Sequence, residues 1–128
     1  MSSCVLDSSA LIALFYREPG SDRVTQAIED GAAISTVNLA EVASKLNDLG
    51  APEAFIEEAV KVLELTIVDF NTELAYQVGL LRPLTKGVGL PLGDRACLAL
   101  AQSLGLPALT TDRAWKDLSL DIEVQVIR

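Results

Sequence analysis

The amino-acid sequence predicts an α/β fold, with a central, mainly parallel sheet of about five strands and helices on both of its faces. Short apolar runs of strand length alternate with longer helical patterns along the whole chain, as they do in proteins with parallel sheets. The chain has 128 residues, of which 50% are hydrophobic, so it can build a core of its own. No internal repeat or long linker divides it. We therefore expect a single domain over residues 1–128.

The first half of the chain is predicted to contain two strands and four helices. The opening strand holds the apolar residues CVL, and the run ALIALF after it is typical of a buried helix. The third helix, within STVNLAEVASKL, carries apolar residues three and four positions apart. The predicted strands are Ser3–Leu6 and Ala32–Ser35, and the predicted helices are Ser8–Tyr16, Ser21–Asp30, Val37–Leu49 and Pro52–Leu63.

The second half is predicted to contain three strands and two helices. Its clearest loop is KGVGLPLG, which lacks the ending of a phosphate-binding P-loop and is therefore interpreted as a connector. The run DRACLALAQSL after it is apolar enough to form a helix that is buried on most sides. The predicted strands are Thr66–Phe70, Pro107–Thr110 and Ile122–Ile127, and the predicted helices are Thr72–Leu81 and Asp94–Leu104.

The composition excludes several classes of site. The chain has no histidine, which removes Ser-His-Asp triads, histidine general bases and most zinc sites. Any metal would have to be held by oxygen ligands, which favours Mg²⁺ or Mn²⁺. A net charge of −8 argues against nucleic-acid binding through a basic patch. It does not exclude an enzyme whose carboxylates converge on metal ions, because those ions reverse the local charge.

The sequence also predicts where the protein resides. No apolar stretch approaches the roughly 18 to 20 residues that a bilayer requires. The start, MSSCVLDSS, lacks the basic and apolar regions of a signal peptide. We expect a cytoplasmic protein with no membrane association, whose surplus apolar surface covers a subunit or partner interface. Cys4 and Cys97 lie in apolar surroundings and are predicted to be buried, reduced thiols.

Three aspartates are predicted to lie at one end of the sheet. Asp7 directly follows the first strand, Asp112 follows PALTT, and Asp94 opens the apolar helix. Ligands of open α/β sheets bind beyond the carboxyl ends of the strands. Aspartate is also a preferred helix N-cap, and each of the three precedes a helical run. Capping explains each position but not the accumulation, because three carboxylates would repel each other unless a cation lay between them.

Three further charged residues have two interpretations each. Arg95 and Arg113 follow two of the aspartates in a first helical turn, where a cation opposes the helix dipole. They either pair with a nearby acid on the surface or hold substrate phosphates. Glu41 lies off the apolar stripe of its helix and precedes Lys45 by four residues. From spacing alone Glu41 is predicted to be a solvated surface residue.

The sequence resembles the PIN domain and, more narrowly, the VapC-type toxins of bacterial toxin–antitoxin pairs. Three segments carry the resemblance: VLDSSALIALFYREPG, STVNLAEVASKL and LGDRACLALAQSLGLPALTTDRAW. They span almost the whole chain, with four acids in the order of the family. The resemblance implies a three-layer α/β/α fold, a metal-dependent ribonuclease, an inhibitory antitoxin partner whose tail occupies the acidic groove, and a homodimer.

The resemblance also implies a site. It assigns the acidic cluster to Asp7, Glu41, Asp94 and Asp112, with Asp7 and Asp94 as the firmest ligands of Mg²⁺ or Mn²⁺. Such an ion would lower the pKa of a water that attacks the phosphodiester, leaving a 5′-phosphate and a 3′-hydroxyl. Asp117 is expected on a helix surface. The groups expected to orient the carboxylates are Ser8, Thr36, Asn38 and Thr111, and those expected to contact RNA phosphates are Arg95 and Arg113.

Two other functions stay open from the sequence. The first is a PIN fold that binds RNA or protein without cleaving it, although the presence of all four acids argues against it. The second is a receiver-like, Mg²⁺-dependent signalling domain, which would require a pair of acids after the first strand and a lysine after the last. The segment CVLDSS supplies one acid, and no lysine follows IEVQV. Transfer, ribosomal and messenger RNA are all compatible with the sequence as substrates.

Overall fold

Five strands and six α-helices alternate along the chain in the computed structural model, which describes residues 1–128. A short 3₁₀-helix of residues Arg113–Asp117 lies between the last two strands. The strands are β1 (Cys4–Leu6), β2 (Ala32–Ser35), β3 (Thr66–Val68), β4 (Ala108–Thr110) and β5 (Val124–Val126). The helices are α1 (Ser8–Phe15), α2 (Ser21–Asp30), α3 (Thr36–Asp48), α4 (Glu53–Lys61), α5 (Thr72–Thr85) and α6 (Leu92–Leu104).

The five strands form one sheet in the order β3-β2-β1-β4-β5, and every neighbouring pair is parallel. Val5 of β1 pairs with Ala33 of β2 on one side and with Ala108 of β4 on the other. The chain therefore builds the sheet outwards from β1 in one direction and then returns to build it in the other. In such sheets a crevice opens where the strand order reverses, at the carboxyl ends of the central strands. The predicted parallel sheet is confirmed.

The strands of the sheet are buried on both faces. Val5, Ala33 and Ala108 point into one core with helices α5 and α6 and with Trp115. The residues next to them, such as Leu6 and Ile34, point into a second core with helices α1 to α4. This alternation follows from the two-residue period of a strand. Helices on both faces give the three layers that the resemblance implies.

The boundaries of α1, α3 and α4 differ from the prediction by one or two residues, and one boundary each of α5 and α6 differs at a proline. Helix α5 was expected to end at Leu81 but continues through Pro83 to Thr85, whose hydroxyl donates to the Leu81 carbonyl at 2.9 Å. Burial of Thr85 keeps this last turn packed, and the N–H that Pro83 lacks costs one bond at an exposed position. Helix α6 was expected to begin at Asp94 but begins at Leu92, directly after Pro91.

The earlier start of α6 corrects the interpretation of Asp94. The N-cap of α6 is Pro91, so Asp94 lies inside the first turn of the helix and is not a cap. Proline suits this place because it has no N–H to leave unpaired at a helix start. Both cysteines are buried and free, as the sequence predicts. None of the helices combines the length and the apolar character that crossing a membrane requires.

Candidate active site

Asp7 is a buried carboxylate at the carboxyl end of the central strand. Its backbone carbonyl begins helix α1, but its side chain makes no capping bond and is only 3% exposed. Instead, Oδ2 accepts hydrogen bonds from the hydroxyls of Ser9 at 2.6 Å and Thr110 at 3.0 Å. The other oxygen, Oδ1, is buried and has no partner. Capping by the carboxylate is therefore wrong for Asp7.

The environment of Asp7 favours its neutral form. Burial raises the pKa of this carboxyl above its usual range, and the charge of Glu41 adds to the effect. The hydrogen bonds from Ser9 and Thr110 lower the pKa but do not cancel the burial. A buried oxygen without a partner is costly unless a cation or donor serves it. The orphaned Oδ1 thus marks a place where a cation would stabilise the fold.

Asp94 is the second carboxylate with a displaced pKa. Its pKa is raised to about 7, chiefly by burial, and the charges of Asp7, Asp112 and Glu41 contribute to the same rise. The indole N–H of Trp115, which enters the core from the 3₁₀-helix, lowers it. This indole nitrogen is buried and makes no other hydrogen bond. Asp94 therefore feels all three of the other acids.

Glu41 is held in place although it is exposed. Its Oε1 accepts from the amide of Asn38 at 2.9 Å, and the same amide donates to the Gly93 carbonyl at 2.9 Å. Asn38 is fully buried, so it ties helix α3 to the first turn of α6. A Cβ on Gly93 would overlap the Glu41 carboxylate, lying 2.5 Å from the carboxyl carbon. The absent side chain of Gly93 thus makes room for the Glu41 carboxylate, which a larger residue would displace.

Asp112 does cap a helix. Its Oδ1 accepts from the backbone N–H of Ala114 at 2.9 Å, at the start of the 3₁₀-helix. The carboxylate is exposed, yet its charge raises the pKa of Asp94. The prediction of capping is therefore confirmed for Asp112. The same carboxylate both caps the 3₁₀-helix and raises the pKa of Asp94.

The four acids interact electrostatically, but their side chains do not surround a common metal position. No group of three or more Asp, Glu, Cys or His side chains lies close enough to hold a metal ion as the side chains stand. Their carboxylates nevertheless raise the pKa of Asp94 together. The donors are oxygens, which hard divalent cations prefer, and the orphaned Oδ1 of Asp7 is one of them. These residues fit a divalent cation that draws the carboxylates together.

The side chains that orient Asp7 differ by one residue from those expected. Ser8 and Thr111 make no side-chain hydrogen bond to a carboxylate, whereas Ser9 and Thr110 do. Thr36 also serves a different purpose, since its hydroxyl accepts from the Phe70 backbone N–H at 3.0 Å. Asn38 does bind a carboxylate, that of Glu41. Ser9 and Thr110 also bind backbone: the N–H groups of Thr111 and Asp112 donate to their hydroxyls.

Both arginines are bound by backbone carbonyls. Arg95 donates to the Val78 carbonyl of α5 at 3.2 Å, and Arg113 donates to the Arg128 carbonyl at 3.2 Å. The only ion pair in the chain joins Arg128 to Glu18 at 3.1 Å. Surface pairing with an acid is therefore wrong for Arg95 and Arg113. It is also wrong for Lys45 with Glu41.

Two open cavities meet at Glu41, the one member of the acidic cluster that lines either of them. One, of about 310 Å³, is lined by Ser8, Ser9, Thr111 and the cation Arg128, among others. The other, of about 630 Å³, extends towards Pro91 and Gly93 at the start of α6. Glu41 and Lys45 line both, so the two cavities form one groove with these residues at its middle. Sequence reasoning missed Lys45, whose only signal was its spacing from Glu41.

Several solved structures share this fold. A toxin-antitoxin complex from Klebsiella pneumoniae is 23% identical and covers 98% of each chain, with a TM-score of 0.76. DNA-bound VapBC from Salmonella typhimurium is 21% identical and covers 98% of each chain, with a TM-score of 0.75. VapC20 of Mycobacterium tuberculosis, a toxin that cleaves the sarcin-ricin loop, is 18% identical and covers 90% of this chain and 94% of that one, with a TM-score of 0.75. At these identities the likeness shows the fold.

The sequence itself supplies the remaining comparison. No curated protein matches the chain significantly. The family model of the PIN domain matches residues 4–120, which is nearly the whole chain and includes all four acids. The predicted resemblance is thus confirmed. The chain belongs to the PIN domain family.

Proposed function

We propose that this protein is an endoribonuclease, dependent on Mg²⁺ or Mn²⁺, that acts as the toxin of a toxin–antitoxin pair. The observation that carries the proposal is the buried Asp7 carboxylate, which has one oxygen unpartnered and which, with Glu41 and Asp112, raises the pKa of Asp94. A structural carboxylate would have its oxygens satisfied by donors, and a cap would bind the helix N-terminus. The Oδ1 atom of Asp7 accepts no hydrogen bond, either from a side-chain donor or from the N-terminus of a helix.

Asp7 and Asp94 are the residues that would hold the cation, and Glu41 and Asp112 would complete the site directly or through water. When bound, a divalent cation supplies an attacking water of lowered pKa and stabilises charge on the phosphodiester. The chain contains no histidine, and both cysteines are buried with pKa values raised by that burial, so neither residue type offers a base or nucleophile in place of this chemistry.

The residues around the acids fix their geometry. Ser9 and Thr110 hold one oxygen of Asp7 and leave the other without a hydrogen-bond partner. Asn38 holds Glu41 against Gly93. Without a cation, Asp94 is close to half protonated at neutral pH, because its pKa is about 7. Ionisation of Asp94 on cation binding would complete a site of carboxylates.

RNA would lie in the groove that Glu41 and Lys45 share. Lys45 and Arg128 are the cations that line it, and each could neutralise a phosphate beside the acids. Arg113 remains a proposed phosphate contact, since it is exposed and only its Nε is bound. Arg95 is half-buried and bound to α5, so we assign it to packing instead.

An antitoxin is the protein partner of this proposal. The structures that share the fold include toxin–antitoxin complexes, which supports a partner of that kind. The net charge of −8 and the acidic groove suit a segment that bears arginine or lysine. We also propose that the chain forms a homodimer, as its surplus of exposed apolar residues favours.

The test combines purified protein with cellular RNA. Wild type should cleave RNA in Mg²⁺ or Mn²⁺, leave 5′-phosphate ends that can be mapped by sequencing, and stop when EDTA is added. Asp7→Asn, purified identically, should not cleave, and it controls for contaminating nucleases. Asp22→Asn, an exposed acid of α2 outside the groove, should cleave as wild type does. Cleavage that persists in EDTA, or in Asp7→Asn, would overturn the mechanism.

A further inference from the structure

Asp94 is held differently from the other three acids of the cluster. Each of those accepts a hydrogen bond of between 2.6 and 3.0 Å from a hydroxyl, a side-chain amide or a backbone N–H. The Asp94 carboxylate receives no bond from groups of these kinds, and the donor that acts on it is the indole N–H of Trp115. The orientation of this acid therefore depends on a tryptophan.

Trp115 has a fixed position in the fold. It is the largest fully buried side chain of the protein, with only 1% of its surface exposed, and its ring packs in the core beside α5 and α6. Its backbone is held on both sides, because its N–H donates to the Asp112 carbonyl at 3.2 Å and its carbonyl accepts from the Leu118 N–H at 3.3 Å. The indole is thus a rigid support against which a carboxylate can be oriented.

Packing alone does not account for the indole nitrogen. This atom is buried and makes no hydrogen bond other than to Asp94. A phenylalanine ring would fill much of the same apolar space without burying a donor, and a buried donor without a partner costs free energy. The N–H of a buried tryptophan usually has a hydrogen-bond partner. Asp94 is the partner that this N–H faces.

The 3₁₀-helix places Trp115 and Asp112 on the same side of the chain. Residues three apart lie one above the other in this type of helix, and the segment DRAW puts these two residues three apart. Both act on Asp94, since the charge of Asp112 raises the pKa of Asp94 and the indole N–H lowers it. One short turn therefore links the acid that follows β4 to the acid at the start of α6.

We propose that Trp115 is a positioning residue of the acidic site, whose indole N–H donates to one oxygen of Asp94 and fixes the orientation of that carboxylate. Ser9 and Thr110 treat Asp7 in the same way, because they occupy one oxygen and leave the other without a partner. The second oxygen of Asp94 is then left for the cation, a consequence that rests on the proposed function.

The first test reads the hydrogen bond by NMR in the metal-free protein. Trp115 is the only tryptophan, so an isotope-labelled chain gives a single indole N–H signal. Asp94→Ala removes the acceptor and should move this signal upfield, because a proton that is bonded to a carboxylate is deshielded. Asp22→Asn, an exposed change on α2, should leave the signal in place. A signal at the same position in wild type and Asp94→Ala would overturn the proposal.

The second test reads the effect of the indole N–H on cation affinity. Trp115→benzothienylalanine keeps the shape of the side chain but replaces the N–H by sulfur, and Trp115→Phe removes the N–H with natural chemistry. Calorimetric titration with Mg²⁺ should give a Kd about tenfold higher than in wild type for both variants. Leu118→Ala, which thins the same core, should lower the Tm but leave the Kd unchanged. An unchanged Kd in the benzothienylalanine variant would overturn the positioning role.

The two tests separate the role of Trp115 from the proposed function. If wild type binds no Mg²⁺, the proposed metal site fails, and the indole signal still decides whether Trp115 holds Asp94. If wild type binds Mg²⁺ but the indole signal ignores Asp94→Ala, the metal site stands and the role of Trp115 is refuted.

Discussion

Asp7 shows how much of the site depends on single atoms. One carboxylate oxygen has two hydroxyl donors, from Ser9 and Thr110, and the other has none. The burial that raises the pKa of Asp7 also raises that of Asp94, and the repulsion between the acids adds to both shifts. The metal-free protein thus stores an electrostatic cost that a divalent cation would remove.

The pH dependence of stability should report this cost at Asp94. Its pKa rises from 3.8 to about 7 on folding, so between these values the folded state holds a proton that the unfolded chain has lost. Stability of the metal-free protein should therefore fall as pH rises from about 4 to about 7. In Asp94→Asn this contribution should vanish. Thermal melts of both proteins across this range provide the measurement, and parallel profiles would contradict it.

Gly93 offers a residue-scale test of the Glu41 site. In Gly93→Ala the new methyl would displace the Glu41 carboxylate, which lies at the end of a flexible side chain. We expect stability within roughly 1 kcal/mol of wild type but a loss of about tenfold or more in cleavage. Gly87→Ala is the control, since a Cβ there meets nothing. Denaturant melts and RNA cleavage rates measure both quantities, and equal cleavage by the two variants would exclude a role for Glu41.

At the scale of elements, sequence patterns predicted the strands and helices because burial imposes periods of two and of about three and a half residues. The core of each strand was located, and α2 and β2 have the predicted ends. The last residue of α5 and the first residue of α6 were predicted wrongly, because the prediction gave proline more weight than packing. Pro83 is tolerated since the bond it removes lies on an exposed turn, and Pro91 starts a helix.

The site was harder to predict from spacing than the fold. Asp7 and Asp112 followed from their positions after strands, but Glu41 did not. Glu41 depends on Asn38 and on the start of α6, which are brought together only by the fold. Ser9 and Thr110 were missed in favour of their neighbours Ser8 and Thr111. The direction of a hydroxyl at a strand–helix junction depends on backbone angles that the residue pattern does not reveal.

Two cations that differ in position should differ in role. Arg95 joins α6 to the Val78 carbonyl of α5, so Arg95→Ala should lower the free energy of unfolding by about 1–2 kcal/mol and leave the KM for RNA unchanged. Lys45 lines the groove, so Lys45→Ala should raise KM several-fold, reduce its salt dependence and leave stability unchanged. If Arg95→Ala raised KM and Lys45→Ala lowered the free energy of unfolding, both roles would be refuted.

At the scale of the whole molecule, the protein carries a net charge of −8 and yet is proposed to bind RNA. The parallel sheet resolves this conflict by gathering acids at the carboxyl ends of its central strands, where a bound cation would reverse the local sign. RNA binding in this proposal therefore depends on the binding of a cation by the acids.

The most direct test is the effect of Mg²⁺ on the melting temperature, which needs no RNA substrate. Mg²⁺ should raise the Tm of wild type by about 5 °C at ten times its Kd, because it binds the folded state alone. Asp7→Asn should melt at or above wild type without metal, since one repelling charge is gone, and should gain nothing from Mg²⁺. The control Asp22→Asn, on the surface of α2, should gain as wild type does. Equal Mg²⁺-induced shifts in wild type and Asp7→Asn would contradict a metal site at Asp7.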